Sequence, residues 1–283
     1  MIIRKLLLCT DFSEPASHLP DCLPELKERG LEEVVLIHVV NIRSAGGNAA
    51  ALQKHNLQAM ADLRMDLEKQ GLQASVRVPI GFPPHEIVDA ANEEDVSLIL
   101  LGAIGKGIIR RIFMGSTSFD VIRMSNKPVL IERFQEDENQ RIRIACREKF
   151  KRVLIPIDFS ADSLSVVKNI QELVGSGGNL ILMHVIEGSD SETARQERIR
   201  DAEGSLGLLK KDLEALGMSV VTHIREGAAS THINRIAQQE KATMIAIAKR
   251  GVGNIQGLLI GSTAEAVALR APAPVLLFPT DLN

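Results

Sequence analysis

Apolar positions along this chain fall into short unbroken runs, separated by longer stretches with helical spacing. The first run, Lys5 to Thr10, ends at Asp11-Phe12-Ser13. Glu14 to Arg29 carries the spacing of an amphipathic helix, with Pro15 tolerated in its first turn and Gly30 as its stop. Pro24 falls inside that stretch and is expected to kink or shorten the helix. A second strand is read from Val34 to Val40, ending His38-Val39-Val40, and a loop from Ser44 to Asn48 leads to a long helix, Ala49 to Gln70, closed by Gly71. Ala74 to Ile80 alternates as a third strand. Gly81-Phe82-Pro83-Pro84 then turns the chain into a helix from His85 to Glu94. Val96 to Leu101 is strand four, Ser116 to Met124 reads as a helix, and Val129 to Ile131, after Pro128, is strand five. Buried strands alternating with helices predict an α/β fold, a parallel sheet covered on both faces.

From Val153 the same order begins again. Asp158-Phe159-Ser160 follows Asp11-Phe12-Ser13 at a spacing of 147 residues. At a spacing of 146, His184-Val185 answers His38-Val39, Gly227 answers Gly81, and Gly251 answers Gly105. Gly261-Ser262-Thr263 and Pro274-Val275-Leu276 answer Gly115-Ser116-Thr117 and Pro128-Val129-Leu130 at that same 146. A register kept within one residue across five strands is a duplication. The chain therefore reads as two tandem domains, residues 1–134 and 150–283, joined by a charged linker over 135–149. The Asn139 to Glu148 part of that linker is read as a short helix. The last strand of each half, Val129-Leu130-Ile131 and Val275-Leu276-Leu277-Phe278, is an apolar edge. Pairing these edges would make the halves an intramolecular pseudo-dimer, with a further homodimer open.

The chemistry-bearing stretch is Gly102-Ala103-Ile104-Gly105, then nine residues, then Gly115-Ser116-Thr117. It links the end of strand four to the start of a helix. Glycines there let backbone N–H groups approach a ligand closely, and a helix start presents unbonded N–H donors at the positive end of its dipole. The arrangement suits a phosphate; the alternative is a set of turn glycines with a Ser/Thr cap. Asp11 and Asp158 end the first strand of each half, where open α/β sheets bind ligands. Each carboxylate is either an acceptor for ribose hydroxyls or an adenine amino group, or an N-cap for the following helix.

Composition narrows the function. Of 283 residues, 45% are hydrophobic and 24% charged, as in a globular protein. A net charge of -3 argues against a nucleic-acid partner. No apolar run reaches membrane-spanning length. Met1 to Lys5 runs straight into a strand, so neither a signal peptide nor a membrane partner is expected, and the location is read as cytoplasmic. Cys9, Cys22 and Cys146 have no metal-ligand spacing and read as reduced, inert thiols, Cys146 in the most polar surroundings. There is no Trp and no Tyr, so a nucleobase is expected among aliphatic side chains.

The glycine pattern, the first-strand Asp and the His-Val closing strand two together resemble the universal stress protein family. More closely, they resemble its tandem members with two such domains in one chain. The resemblance spans essentially the whole chain. It implies two doubly wound five-stranded parallel-sheet domains of the adenine nucleotide alpha hydrolase-like fold, dimerising through strand five. It also implies bound ATP or AMP, with Mg as an accompanying ion. Carried over residue by residue, Cys9, Thr10, Asp11 and Val39 would meet adenine and ribose, and Gly102, Gly105, Gly115, Ser116 and Thr117 the phosphates. Lys106, Arg110 and Arg111 are local cations that either help hold a phosphate tail or are solvated. The corresponding second-half set is Pro156, Ile157, Asp158, Val185, Gly251, Gly261, Ser262 and Thr263. There Ala248 stands where the first glycine is expected, and Lys249 and Arg250 keep the loop basic, so the second motif is degenerate.

Catalytic signatures are missing from the sequence: no phosphate-loop consensus with Lys-Ser/Thr, no His-Glu-x-x-His and no Gly-x-Ser-x-Gly. The seven His are scattered, and His38 and His184 read as hydrogen-bonded core histidines. The chain therefore reads as an adenine-nucleotide-binding stress-response or regulatory module rather than an enzyme. Two alternatives stay open: a slow ATPase or phosphotransferase, and a nucleotide-independent interaction scaffold.

Overall fold

A computed structural model of the chain describes residues 1–103, 114–188, 191–251 and 259–280. It divides into two compact units, Ile2–Arg147 and Glu148–Asn283, with Met1 grouped with the latter.

The first unit runs β1 (Lys5–Cys9), α1 (Glu14–Ser17), a 3-10 turn at Leu19–Cys22, α2 (Leu23–Glu28) and β2 (Glu33–Ile37). It continues with α3 (Ala49–Lys69), β3 (Gln73–Arg77), α4 (Pro83–Glu93), β4 (Leu98–Gly102), α5 (Ser116–Met124) and β5 (Val129–Glu132). These five strands are parallel in the order β3-β2-β1-β4-β5. The chain steps outward from β1 to β3, then crosses to β4 on the other side of β1. That reversal opens a crevice at the carboxyl ends of β1 and β4. Leu6, Leu7 and Leu8 in β1 and Leu98, Ile99 and Leu100 in β4 are fully buried, because helices cover both faces of a parallel sheet.

Prolines account for the departures from the expected elements here. Pro20 and Pro24 divide the expected helix over 14–29 into α1, the 3-10 turn and α2, since each ring removes an N–H and crowds the preceding turn. The second-half counterpart carries no proline and runs unbroken for 14 residues. Strands two and three are likewise interrupted. His38 N–H bonds to Arg77 O at 3.1 Å and Val40 N–H to Pro79 O at 2.9 Å, but Pro79 has no N–H to return. The ladder restarts as a two-residue pairing of Val40–Asn41 with Ile80–Gly81. Arg225 takes the place of Pro79 in the repeat, and there both strands run for eight residues. Helix α4 also begins two residues earlier than expected, with its prolines in the first turn.

The linker is not helical. Phe134–Glu136 (β6) and Ile142–Ile144 (β7) form an antiparallel hairpin, Phe134 opposite Ile144. Asp137 Oδ1 accepts N–H bonds from Asn139 and Arg141, both at 2.9 Å, and these hold its carboxyl below the usual carboxylate range. Ile142 and Ile144 are buried either side of half-exposed Arg143. That period of two belongs to a strand, and it outweighs the charge of the segment.

The second unit repeats the plan: β8 (Arg152–Pro156), α6 (Ala161–Val174), β9 (Asn179–Ile186), α7 (Glu192–Ala215), β10 (Ser219–Glu226), α8 (Ala229–Gln239), β11 (Met244–Ala248), α9 (Ser262–Arg270) and β12 (Val275–Phe278). Its parallel order is β10-β9-β8-β11-β12. Among the described residues no helix is long and apolar enough to cross a membrane.

Candidate functional site

The crevice of the first unit is a cavity of about 630 Å³. Its floor is set by the turn after β1. Thr10 N–H bonds to Ile37 O at 3.0 Å, and Thr10 Oγ1 accepts the Phe12 N–H at 3.1 Å. Asp11 Oδ1 accepts the Ser13 N–H at 2.9 Å, and Ser13 rather than Asp11 caps α1 through its bond from Ala16 N–H. The N-cap reading of Asp11 is thus replaced by a carboxylate that shapes the turn and lines the cavity.

Phe12 adopts φ +59°, a left-handed conformation that costs a bulky residue of order 1 kcal/mol. The turn places its ring 4.4 Å from that of His38, whose Nδ1 bonds to Thr10 O at 2.9 Å. The same construction recurs in the second unit, with Phe159 at φ +62°, its ring 4.8 Å from His184, and His184 Nδ1 bonded to Ile157 O at 2.8 Å. His38 and His184 are hydrogen-bonded as expected but only half-buried, and His38 lines the cavity with Phe12. This part of the cavity therefore offers an aromatic pair together with the aliphatic side chains Ile37, Val39 and Val40.

Another part of the lining is the start of α5. Gly115 is its N-cap at φ −62°, ψ 147°, with no side-chain cap. The first helical bond runs from Phe119 N–H to Gly115 O at 3.0 Å, so the Ser116, Thr117 and Ser118 N–H groups precede the helical ladder. No acidic residue stands in that first turn. Ser118 Oγ donates to Gly102 O at 2.8 Å, and Gly115 N–H to Ala103 O at 2.9 Å, tying the helix start to the end of β4. Among the described residues, a Cβ at Gly115 would meet no atom within 4 Å, so the backbone there is open toward the cavity.

Cys9, Thr10, Asp11, Val39, Gly102, Gly115, Ser116 and Thr117 all line this one cavity. Gly105 and the cations Lys106, Arg110 and Arg111 lie outside the described residues. Cys9 is buried, which pushes its thiol well above its usual range and keeps it protonated and unreactive. Cys22 is also buried, with its thiol donating to Glu132 Oε2 at 3.0 Å. Sequence reading missed the lining contributed by Asn41, Ser44, Leu52, Asn56, Pro83 and Ile87. These come from helix starts and faces that no local motif marks.

The match to known proteins is extensive. The model of the universal stress protein family fits twice, over residues 3–133 and 149–279. The chain belongs to the universal stress protein family. A universal stress protein structure from Archaeoglobus fulgidus is 27% identical with a TM-score of 0.77, covering 98% of this chain and 97% of that one. A universal stress protein of Methanocaldococcus jannaschii is 30% identical over 154 residues, 46% of this chain and 95% of its own length. One from Mycobacterium bovis is 26% identical over 245 residues, 83% of this chain and 76% of its own. The tandem arrangement is thus two universal stress protein domains, each an α/β unit with a five-stranded parallel sheet.

The second universal stress protein domain keeps the frame and changes the site. Pro156 ends β8, and Ile157, 3% exposed, donates its N–H to Met183 O at 2.7 Å. Val185 lies within continuous β9, whereas Val39 stands at the break after β2. Asp158 Oδ1 accepts from Ser160 N at 3.0 Å and Ser160 Oγ at 2.6 Å, and its other oxygen packs so closely on Gly251 that a Cβ there would overlap it. Gly261 caps α9 ahead of Ser262 and Thr263, and its N–H bonds to Lys249 O at 2.7 Å, as Gly115 bonds to Ala103. Lys249, where the first domain has Ala103, is 6% exposed. Burial, reinforced by the Arg250 charge, pushes its amine down to about 8. Arg250 Nε donates to Thr280 Oγ1 at 2.6 Å.

Proposed function

We propose that the first domain binds an adenine nucleotide, ATP or AMP, and that the protein acts as a nucleotide-responsive binding module in the stress response. The observation that carries this reading is one cavity holding both the Asp11 carboxylate and the open start of α5. Phosphate oxygens would accept from the Ser116, Thr117 and Ser118 N–H groups and the flanking hydroxyls, at the positive end of the helix dipole. The Asp11 carboxylate would accept from ribose hydroxyls or the base amino group. Mg would enter as the counter-ion of ATP. Its family membership supports this assignment.

The proposal gives one nucleotide per chain. In the second domain Ala248 stands in place of Gly102 and the buried Lys249 in place of Ala103, and the restriction to the first domain rests on these two changes.

The test is an ultraviolet spectrum of the purified protein, then of the supernatant after acid precipitation. With no Trp or Tyr in the chain, absorbance near 260 nm reports bound nucleotide with little background. The expected result is ATP or AMP, identified by chromatography, at about one per chain. A nucleotide-free preparation whose melting temperature is unmoved by millimolar ATP would overturn the proposal. Two nucleotides per chain would overturn its restriction to the first domain.

A further inference from the structure

Helix α3 turns one stripe toward the sheet, and Met60 and Leu67 on that stripe are fully buried. The outward side of the same helix is not uniformly polar. Leu57 and Met65 are 44% and 45% exposed, with the half-exposed Ala61 midway between them. Residues four apart stand on neighbouring turns, so the three form one apolar patch. The repeat shows that the fold does not require it. At the spacing of 146 residues, α7 carries Glu203, Gly207 and Lys211 in place of Leu57, Ala61 and Met65, while its inward Leu206 and Leu213 stay buried as Met60 and Leu67 do. An exposed apolar patch that the equivalent helix lacks points to a contact surface.

The residues around the patch say what covers it. Ala61 is a centre of sequence symmetry, with Leu57 and Met65 four residues either side and Lys54 and Glu68 seven residues either side. Seven residues is close to two helical turns, so Lys54, Ala61 and Glu68 share the middle of the face. A second copy of α3 laid antiparallel here, with the two-fold axis at Ala61, sets Leu57 of each copy against Met65 of the other. It also sets Lys54 of each against Glu68 of the other. The small Ala61 side chains meet at the axis, where they let the two helices approach. Among the described residues Lys54 forms no ion pair, and Glu68 is paired only with Arg64 of its own helix, at 3.6 Å. A crossed contact of α3 with α7 of another copy would set Leu57 against Lys211 and Met65 against Glu203, so the pattern selects like with like.

We propose that this face of α3 is a homodimer interface, on which two copies of the chain pair antiparallel across Ala61. The contact is isologous, the same patch serving both copies. From Lys54 to Glu68 it runs about 21 Å along the helix, which is small for an interface, so the dimer is weak and reversible. It is independent of the nucleotide reading of the first domain.

The experiment is sedimentation equilibrium of the full chain from about 1 to 500 µM, with a melting curve for each variant. Wild type is expected to pass from monomer toward dimer across this range. Leu57→Glu, which copies the residue at that place in the repeat, should weaken association at least about tenfold without lowering the melting temperature. Lys54→Glu and Glu68→Lys each set like charges opposite one another twice across the axis and should weaken it about tenfold. The double variant Lys54→Glu/Glu68→Lys restores opposite charges and should return to within about threefold of wild type. A wild type that stays monomeric throughout, or a dimer that Leu57→Glu leaves intact, would overturn the interface. A double variant that associates no better than the single ones would overturn the antiparallel pairing.

Discussion

Gly115→Val is expected to weaken nucleotide binding by about a hundredfold while leaving the fold intact. The backbone at Gly115, φ −62° and ψ 147°, is open to any L-residue, and a Cβ there meets none of the described residues within 4 Å. Losing glycine at an N-cap costs about 1 kcal/mol or less. The added isopropyl group stands in the cavity at the start of α5, where the phosphates would approach the Ser116 and Thr117 N–H groups. Each charge-assisted bond lost is worth about 1.5–3 kcal/mol, and two of them correspond to a hundredfold or more. Titration calorimetry with ATP, beside a melting curve, separates the two effects. Wild-type affinity in the variant would show that phosphate does not approach this helix.

Lys249 gives the second large effect, on stability. Burial holds its folded-state amine at about 8, against 10.5 for the free side chain. Between those values the unfolded chain binds the extra proton and the native chain does not, so the free energy of unfolding rises with pH through this window. Below pH 8 both states carry the charge and the full penalty of burying it is present; above about 10.5 both are neutral and it disappears. Lys249→Met, similar in volume and without a charge, removes this dependence. The stability of the variant minus that of wild type should therefore fall by about 2–3 kcal/mol from pH 7.5 to pH 10.5. Urea titrations at the two pH values measure it, and taking the difference cancels titrations shared by both proteins. A difference that does not change with pH would show that the amine stays charged where it is.

Much of the site was legible because its parts are local. The strand-end Asp11, Gly102 closing β4 and Gly115 opening α5 are each marked by a residue type with its own backbone or hydrogen-bonding reason to be there. Asn56 was not legible in this way. It is 45 residues from Asp11, and only the packing of α3 against β3 brings it into the cavity lining. One signal was available: the repeat substitutes Ala202 on a stripe that is otherwise apolar. The linker misled for the opposite reason. Its charges mask a two-residue alternation, Ile142 and Ile144, whose meaning appears once both isoleucines are buried.

By itself the sequence determined that the chain is a duplication, that each half alternates strand and helix, and where the glycines and the strand-end carboxylates fall. Periodicity and turn chemistry are local, and a repeat amplifies them. Only the tertiary structure decided which residues distant in sequence join the first motif around one cavity. That outcome depends on parts far apart in the chain: Gly102 and Gly115 of the motif meet Asp11, His38 and Asn56 along one cavity lining. Nearest-neighbour chemistry sets the turns and helix starts, whereas contacts between distant segments form only when the chain folds.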